Sequence, residues 1–133
     1  MEEDLHKVEM LCARHASLKL HPLSVACGAG WFPLLEAALQ DLERLRSSSS
    51  NPQFSVLQAK EKFGALRLYV RVDRGTADDL AAVGTLIRRV EERSRTTCEH
   101  CGAEAQVREH EGYWSTRCGS CARDRENRGP GAT

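Results

Sequence analysis

Cys98-Glu99-His100-Cys101-Gly102, followed later by Trp114-Ser115-Thr116-Arg117-Cys118-Gly119-Ser120-Cys121, is the stretch whose reading decides the architecture. Each cysteine pair has two residues between its members, so both sulfurs can point into one tight turn. Glycines beside or inside those turns, Gly102 and Gly119, admit backbone conformations that a side chain resists. Two such knuckles present four thiolates to one tetrahedral ion, the pattern of a zinc ribbon. Four protein ligands close the coordination sphere, whereas a catalytic zinc keeps a position open for water. Cys98, Cys101, Cys118 and Cys121 are therefore the expected ligands of a structural zinc. His100 and His110 are nearby nitrogen donors, and both are expected at the surface. Gln106 to Arg108 and Tyr113 to Arg117 are the expected ribbon strands. Ribbons of this kind serve many unrelated proteins, so the motif predicts a metal and no particular activity.

The 133 residues suit one modest domain, or a small domain with a metal-stapled appendage. No apolar run approaches the roughly 20 residues needed to span a bilayer. The opening Met1-Glu2-Glu3-Asp4-Leu5-His6 is acidic and lacks an apolar signal core. A cytoplasmic location is expected, and there paired C-x-x-C motifs bind metal in preference to forming disulfides. A disulfide framework of the six cysteines is the weaker alternative. The 19 basic and 19 acidic residues cancel, which counts against a strongly electrostatic nucleic-acid binder. The balance is uneven: residues 60–75 hold five basic side chains (Lys60, Lys62, Arg67, Arg71, Arg74) against Glu61 and Asp73. Four thiolates on one divalent ion would leave the ribbon about two charges negative, and Arg95 and Arg117 are placed to offset that.

Upstream of the ribbon, Leu5, Val8, Leu11 and Cys12 recur at helical spacing and predict a helix over about 2–17. The segment from Leu18 to Gly30 is broken by Pro22 and by the run Cys27-Gly28-Ala29-Gly30, predicting loop with at most one short strand. Trp31 opens a second helix with Pro33 in its first turn. Its apolar stripe is Leu34, Leu35, Ala38, Leu42 and Leu45. Ser47 to Pro52 is a polar connector. Phe54 to Val72 predicts a β-hairpin, with Leu66, Leu68, Val70 and Val72 alternating against Arg67, Tyr69 and Arg71. Its turn is expected over Lys60 to Gly64, with Gly64 at positive φ and Phe63 stapled to the core in preference to standing out as an exposed anchor. Thr76 is the expected N-cap of a third helix reaching about Arg95, with Leu80, Val83, Ile87 and Val90 on one face. The expected plan is α+β: an α-α-β-β-α body over 1–96, a zinc ribbon over 97–123 and a disordered tail over 124–133.

Three elements stand together in this order: Gly28-Ala29-Gly30-Trp31; Lys60-Glu61-Lys62-Phe63-Gly64-Ala65-Leu66-Arg67; and the four-cysteine ribbon with Trp114 inside it. The combination resembles a loose group of small, uncharacterised proteins of bacteria and their phages. The resemblance covers about residues 27–122. It implies this fold plan and carries no activity with it, and the segment before Ala26 lies outside it.

Enzyme patterns are absent. No H-x-E precedes a P-C-x-x-C, as a zinc deaminase requires. No Walker loop, G-x-S-x-G or H-E-x-x-H occurs. Cys12 reads as a small core residue, and Cys27 has no identifiable base or cation beside it to make it reactive. The candidate partner surface is the hairpin stripe of Arg67, Tyr69 and Arg71, flanked by Lys60 and Lys62, where an aromatic between arginines suits recognition. A solvated strand face is the plainer reading. Trp114 is expected to pack where the ribbon meets the body or over a knuckle. The leading expectation is a non-enzymatic interaction protein with a protein partner, as adaptor, inhibitor or immunity-type factor. A nucleic-acid-binding regulator is the alternative, and an enzyme of unknown class ranks third.

Overall fold

A computed structural model describes residues 2–128 and has the expected α+β class. The hairpin is its centre. β2 (Gln53–Lys62) and β3 (Ala65–Arg74) pair antiparallel, and β1 (Val25–Ala26) lies parallel against the other side of β2. Leu66, Leu68, Val70 and Val72 keep one face throughout β3, as their alternation requires. On β2 the phase changes. Phe54 and Val56 oppose Val72 and Val70, then a bulge at Leu57 shifts the register so that Ala59 opposes Leu68. One extra residue lets even and odd positions serve the same core face.

Helices α2 (Phe32–Arg46) and α3 (Ala77–Ser94) pack on that face. They run antiparallel, since Ser50 beyond the end of α2 donates to Asp79 at the start of α3 (3.0 Å). Phe32, Leu35, Ala38, Leu39 and Leu42 are buried, while Leu34 and Leu45 are only partly so. On α3, Val83 and Val90 are buried, but Leu80 is exposed in the first turn, ahead of the packed face. Helix α1 (Glu2–Arg14) adds Val8, Leu11 and Cys12 to the core. It is clasped to α2 by Arg14 on Glu36 (2.7 Å) and by His15, whose ring nitrogens lie 2.5 and 2.6 Å from Glu43 and Glu36.

Two expectations are corrected here. The hairpin turn is Phe63-Gly64 alone, and Lys60, Glu61 and Lys62 belong to β2. Both turn residues have left-handed backbone (φ 53 and 84), the geometry that matches the twist of tightly joined strands. The Glu61 carboxylate accepts from the Gly64 N–H at 2.7 Å and closes the turn. At the other end of the chain, α4 spans Gly119–Arg128, where a disordered tail was expected from Asp124. The second knuckle starts that helix, its Cys118 carbonyl accepting from Ala122 N–H (2.9 Å). Residues 129–133 of the expected tail lie outside the described residues.

Thr76 caps α3 as expected, in a reciprocal arrangement. Its hydroxyl accepts from Asp79 N–H (3.1 Å), and the Asp79 carboxylate accepts from Thr76 N–H (2.8 Å). The Thr76 N–H holds the Asp79 carboxyl below the usual aspartate range, helped by the hydroxyls of Ser50 and Thr76. Thr76→Ala should cost about 1 kcal/mol in a denaturant melt. Because the Asp79 value is lowered on folding, its contribution is present at neutral pH and is lost as pH falls through the lowered value. The stability gap between wild type and Asp79→Asn should therefore close on acidification. A gap independent of pH would contradict this assignment.

Candidate metal centre

Antiparallel strands β4 (Gln106–His110) and β5 (Tyr113–Arg117) join the two knuckles. In the first knuckle, Cys98 N–H donates to Ala103 O (2.7 Å) and Gly102 N–H to Cys98 O (2.9 Å). Gly102 sits at φ 84, which explains the glycine after the pair. In the second, Cys121 N–H points at Cys118 Sγ (3.4 Å). The four sulfurs of Cys98, Cys101, Cys118 and Cys121 all lie within 4.8 Å of one another, and Cys101 and Cys118 are 3.6 Å apart. A tetrahedral metal–thiolate site with bonds of about 2.3 Å puts its sulfurs about 3.8 Å apart. The cluster can thus hold a metal ion with little adjustment. Cys98 and Cys121 are buried and Cys101 reaches solvent.

The sulfurs are electrostatically unequal. Burial works against the Cys98 thiolate, yet N–H groups of Cys118, Cys101 and His100 bring its thiol down to about 6. Burial pushes the Cys121 thiol strongly up, and the other three cysteines push it further. Like charges so close cannot all ionise without a cation among them. His100 and His110 are exposed and outside this cluster. Cys12 is a buried core residue. Burial, then the Glu99 carboxylate, pushes the Cys27 thiol up to about 12, which disfavours its thiolate near neutral pH.

The metal cluster is fastened to the body by residues with no metal chemistry of their own. Gly30 N–H donates to Glu99 O (2.7 Å), Gly28 N–H to the Glu99 carboxylate (2.9 Å) and Trp31 Nε1–H to Thr97 O (2.7 Å). A Cβ on Gly30 would stand 2.1 Å from Cys98 O and 2.6 Å from Gly102 N. Trp31 has no exposed surface at all. A second fastening joins the two hairpins: the buried Thr116 hydroxyl donates to Gly64 O, and Val107 packs over Gly64. The Gly28-to-Trp31 segment and the Phe63-Gly64 turn are therefore the seats of the ribbon. In the sequence Gly28 and Gly30 are glycines without an evident local reason, while Gly64 is explained by its turn alone and its contact with the ribbon leaves no trace.

The candidate partner residues do not form one open stripe. Arg67 Nε lies 2.9 Å from Glu91 on α3, at an angle too oblique for a hydrogen bond, and Arg95 reaches the same carboxylate (3.2 Å). Arg71 pairs with Asp73 at 2.6 Å. Tyr69 is exposed with the Lys60 ammonium 5.7 Å from its ring centre, and Lys62 lies 5.9 Å from that of Phe63. Phe63 is 68% exposed and not stapled to the core, because the ribbon occupies Gly64 and leaves its neighbour outward. Trp114 is 52% exposed and Tyr113 70%, so neither is buried in the joint; on the Trp114 strand face it is Thr116 that meets the body.

No protein-family model matches the chain, and no curated protein or solved structure matches it either.

Gly30→Ala tests the fastening. The overlap with the first knuckle should lower stability by about 1–3 kcal/mol, as overpacking does, and should speed metal loss to a chelator. Gly112→Ala keeps a glycine-type φ problem but meets nothing within 4 Å, so it should leave metal loss unchanged. Equal chelation rates for wild type and Gly30→Ala would refute the joint.

Proposed function

We propose that the chain is a small, non-enzymatic cytoplasmic protein that binds another protein, with a structural zinc holding its recognition hairpins in place. The observation that carries this reading is Phe63. A bulky aromatic at φ 53 on a hairpin tip is costly where asparagine or glycine would sit without strain, and this one is 68% exposed. Strain of about 1 kcal/mol or more that stabilises nothing points to use elsewhere. Tyr113 and Trp114 stand exposed on the adjoining hairpin. Aromatic anchors on rigid supports are what dominate protein interfaces. Tyr69, Lys60 and Lys62 extend the surface, and Arg67 and Arg71 contribute at its edge through exchangeable ion pairs. An adaptor, inhibitor or immunity-type role suits such a surface. The resemblance to small bacterial and phage proteins belongs to the same proposal: the motifs shared with that group act as seats for the ribbon.

A nucleic-acid partner is the second reading. The pairing of Lys60 with Tyr69 and of Lys62 with Phe63 suits stacked, unpaired bases beside phosphates. The net charge of zero ranks it lower.

Zinc is the metal that four thiolates in a closed sphere favour. Protein purified without chelator should contain one zinc per chain. Cys98→Ser should lose it and unfold the ribbon, since metal binding in such units supplies on the order of 10 kcal/mol that is coupled to folding. Protein free of zinc, or carrying disulfides among these cysteines, would sink the assignment.

Phe63→Asn separates function from stability. It should leave the melting temperature unchanged or raise it, by the equivalent of up to about 1 kcal/mol. Combined with Trp114→Ala, it should abolish co-purification of partners from the native host. Retention that resists nuclease in wild type and fails in the variant fits a protein partner. Binding to single strands with a steep salt dependence would favour the second reading. Unchanged partners in the double variant would remove this surface from both.

A further inference from the structure

Between α2 and α3, on the side away from the strands, lies an open groove of about 470 Å³. Leu34, Leu45 and Leu86 line it and are only partly buried by the protein's own packing. Ala37, Ala38 and Ala82 make its floor shallow and smooth. The lining runs from Leu34 to Leu45 on one helix and from Ala82 to Arg93 on the other, about 16 Å at the helical rise per residue. That is the length of three helical turns.

The rim is charged in one sense. Arg89 and Arg93 stand one turn apart on α3. Arg14, Arg67, Arg71 and Arg95 each meet a carboxylate elsewhere in the fold. Among the described residues neither Arg89 nor Arg93 does. The one acid in the groove, Asp41, is engaged by Arg44 on its own helix at 2.9 Å. An apolar trough with two such guanidinium groups on one wall calls for an occupant that is apolar along one stripe and acidic along one flank.

We infer that this groove docks an amphipathic helix of a partner protein, its apolar stripe on Leu34, Leu45 and Leu86 and its acidic flank on Arg89 and Arg93. A helix satisfies its own backbone. An extended peptide would find no strand edge here, because both walls are helices whose N–H and C=O groups are already paired. The alanines on the floor allow a third helix axis to approach closely. Side chains at i, i+4, i+7 and i+11 of such a helix cover the roughly 16 Å from Leu34 to Leu45. The site is separate from the aromatic hairpin tips and does not depend on their role.

The test is a titration of the full-length, metal-loaded chain by NMR. The probe is a synthetic peptide of about four helical turns with leucine at i, i+4, i+7 and i+11 and glutamates along one flank. Amide shifts are expected at Ala37, Thr85 and Leu86. An Arg89→Glu/Arg93→Glu variant should melt as wild type does, both side chains being exposed, and should bind at least about tenfold more weakly. A peptide with lysines for the glutamates should show the opposite preference. Phe63→Asn/Trp114→Ala should bind the glutamate peptide normally, which keeps this result distinct from the fate of the hairpin surface. No binding, equal binding of both peptides to wild type, or shifts confined to the hairpin tips would each overturn the inference.

Discussion

The close approach of two backbones at Gly30 is the constraint on which the rest of the molecule depends. Cys98, Glu99 and Gly102 occupy the space where a side chain at position 30 would be. Glu99 O then accepts from Gly30, and Thr97 O accepts from the Trp31 indole. Trp31 is buried at the head of α2, and α2 carries Leu35, Leu39 and Leu42 into the core. A ribbon whose four cysteines can hold a metal ion is thus built into the foundation of a body that has its own apolar core. A metal bound there would deliver its folding free energy into that joint as well as into the ribbon. The second contact, Thr116 on Gly64, ties the ribbon to the tip of the main hairpin, so the two hairpins are held at two points and not one. Two points fix an angle, and a fixed angle is what a binding surface made of separate tips requires.

The charge distribution fits the same picture. Residues 60–75 have a local excess of cations, and a stripe of arginines there suggested an electrostatic surface. The folded chain pairs two of those arginines internally: Arg67 faces Glu91, and Arg71 faces Asp73. The side chains left outward near the ribbon are aromatic, with lysines beside them. Each exposed ion pair is worth little to stability, with a median below about 1 kcal/mol. Their consequence is that long-range attraction has little hold here, while desolvating Phe63, Tyr113 and Trp114 can be worth more on contact.

Where local chemistry decides, the sequence was legible. The cysteine spacing identified the cluster of four sulfurs to the residue, Thr76 read as the cap of α3, and period-two alternation identified the core face of β3. Where the cause lies far along the chain, it was not. Gly28 and Gly30 read as loop breakers because Glu99, their reason for being small, is about 70 residues away. Lys60, Glu61 and Lys62 read as turn because charges cluster in turns, but the tight turn needs only two left-handed residues and the strand simply continues through them. Trp114 reads as packed, and Phe63 as packed in preference to an exposed anchor, because large aromatics usually pack. Both are outward because Gly64 and Thr116, smaller neighbours, make the contact between hairpins.

That last inversion has a physical reason. Two β-hairpins meeting edge to tip can come within hydrogen-bonding distance only if the residues at the crossing are small. Gly64 supplies a bare carbonyl at positive φ, and Thr116 supplies a short hydroxyl that is wholly buried. Any large side chain at either position would lever the ribbon away from the body. The adjacent positions are released from packing by the same geometry, and they are free to carry bulk. Left to stability alone, they would carry polar residues, since exposed aromatics invite association. Phe63 keeps an aromatic ring there and also accepts a left-handed backbone, two costs at one position that the Lys62 ammonium, 5.9 Å from the ring centre, offsets at most in part. A tip with that cost, mounted on a joint that two hydrogen-bonded contacts hold to a four-cysteine cluster, is the feature that favours the proposed partner surface.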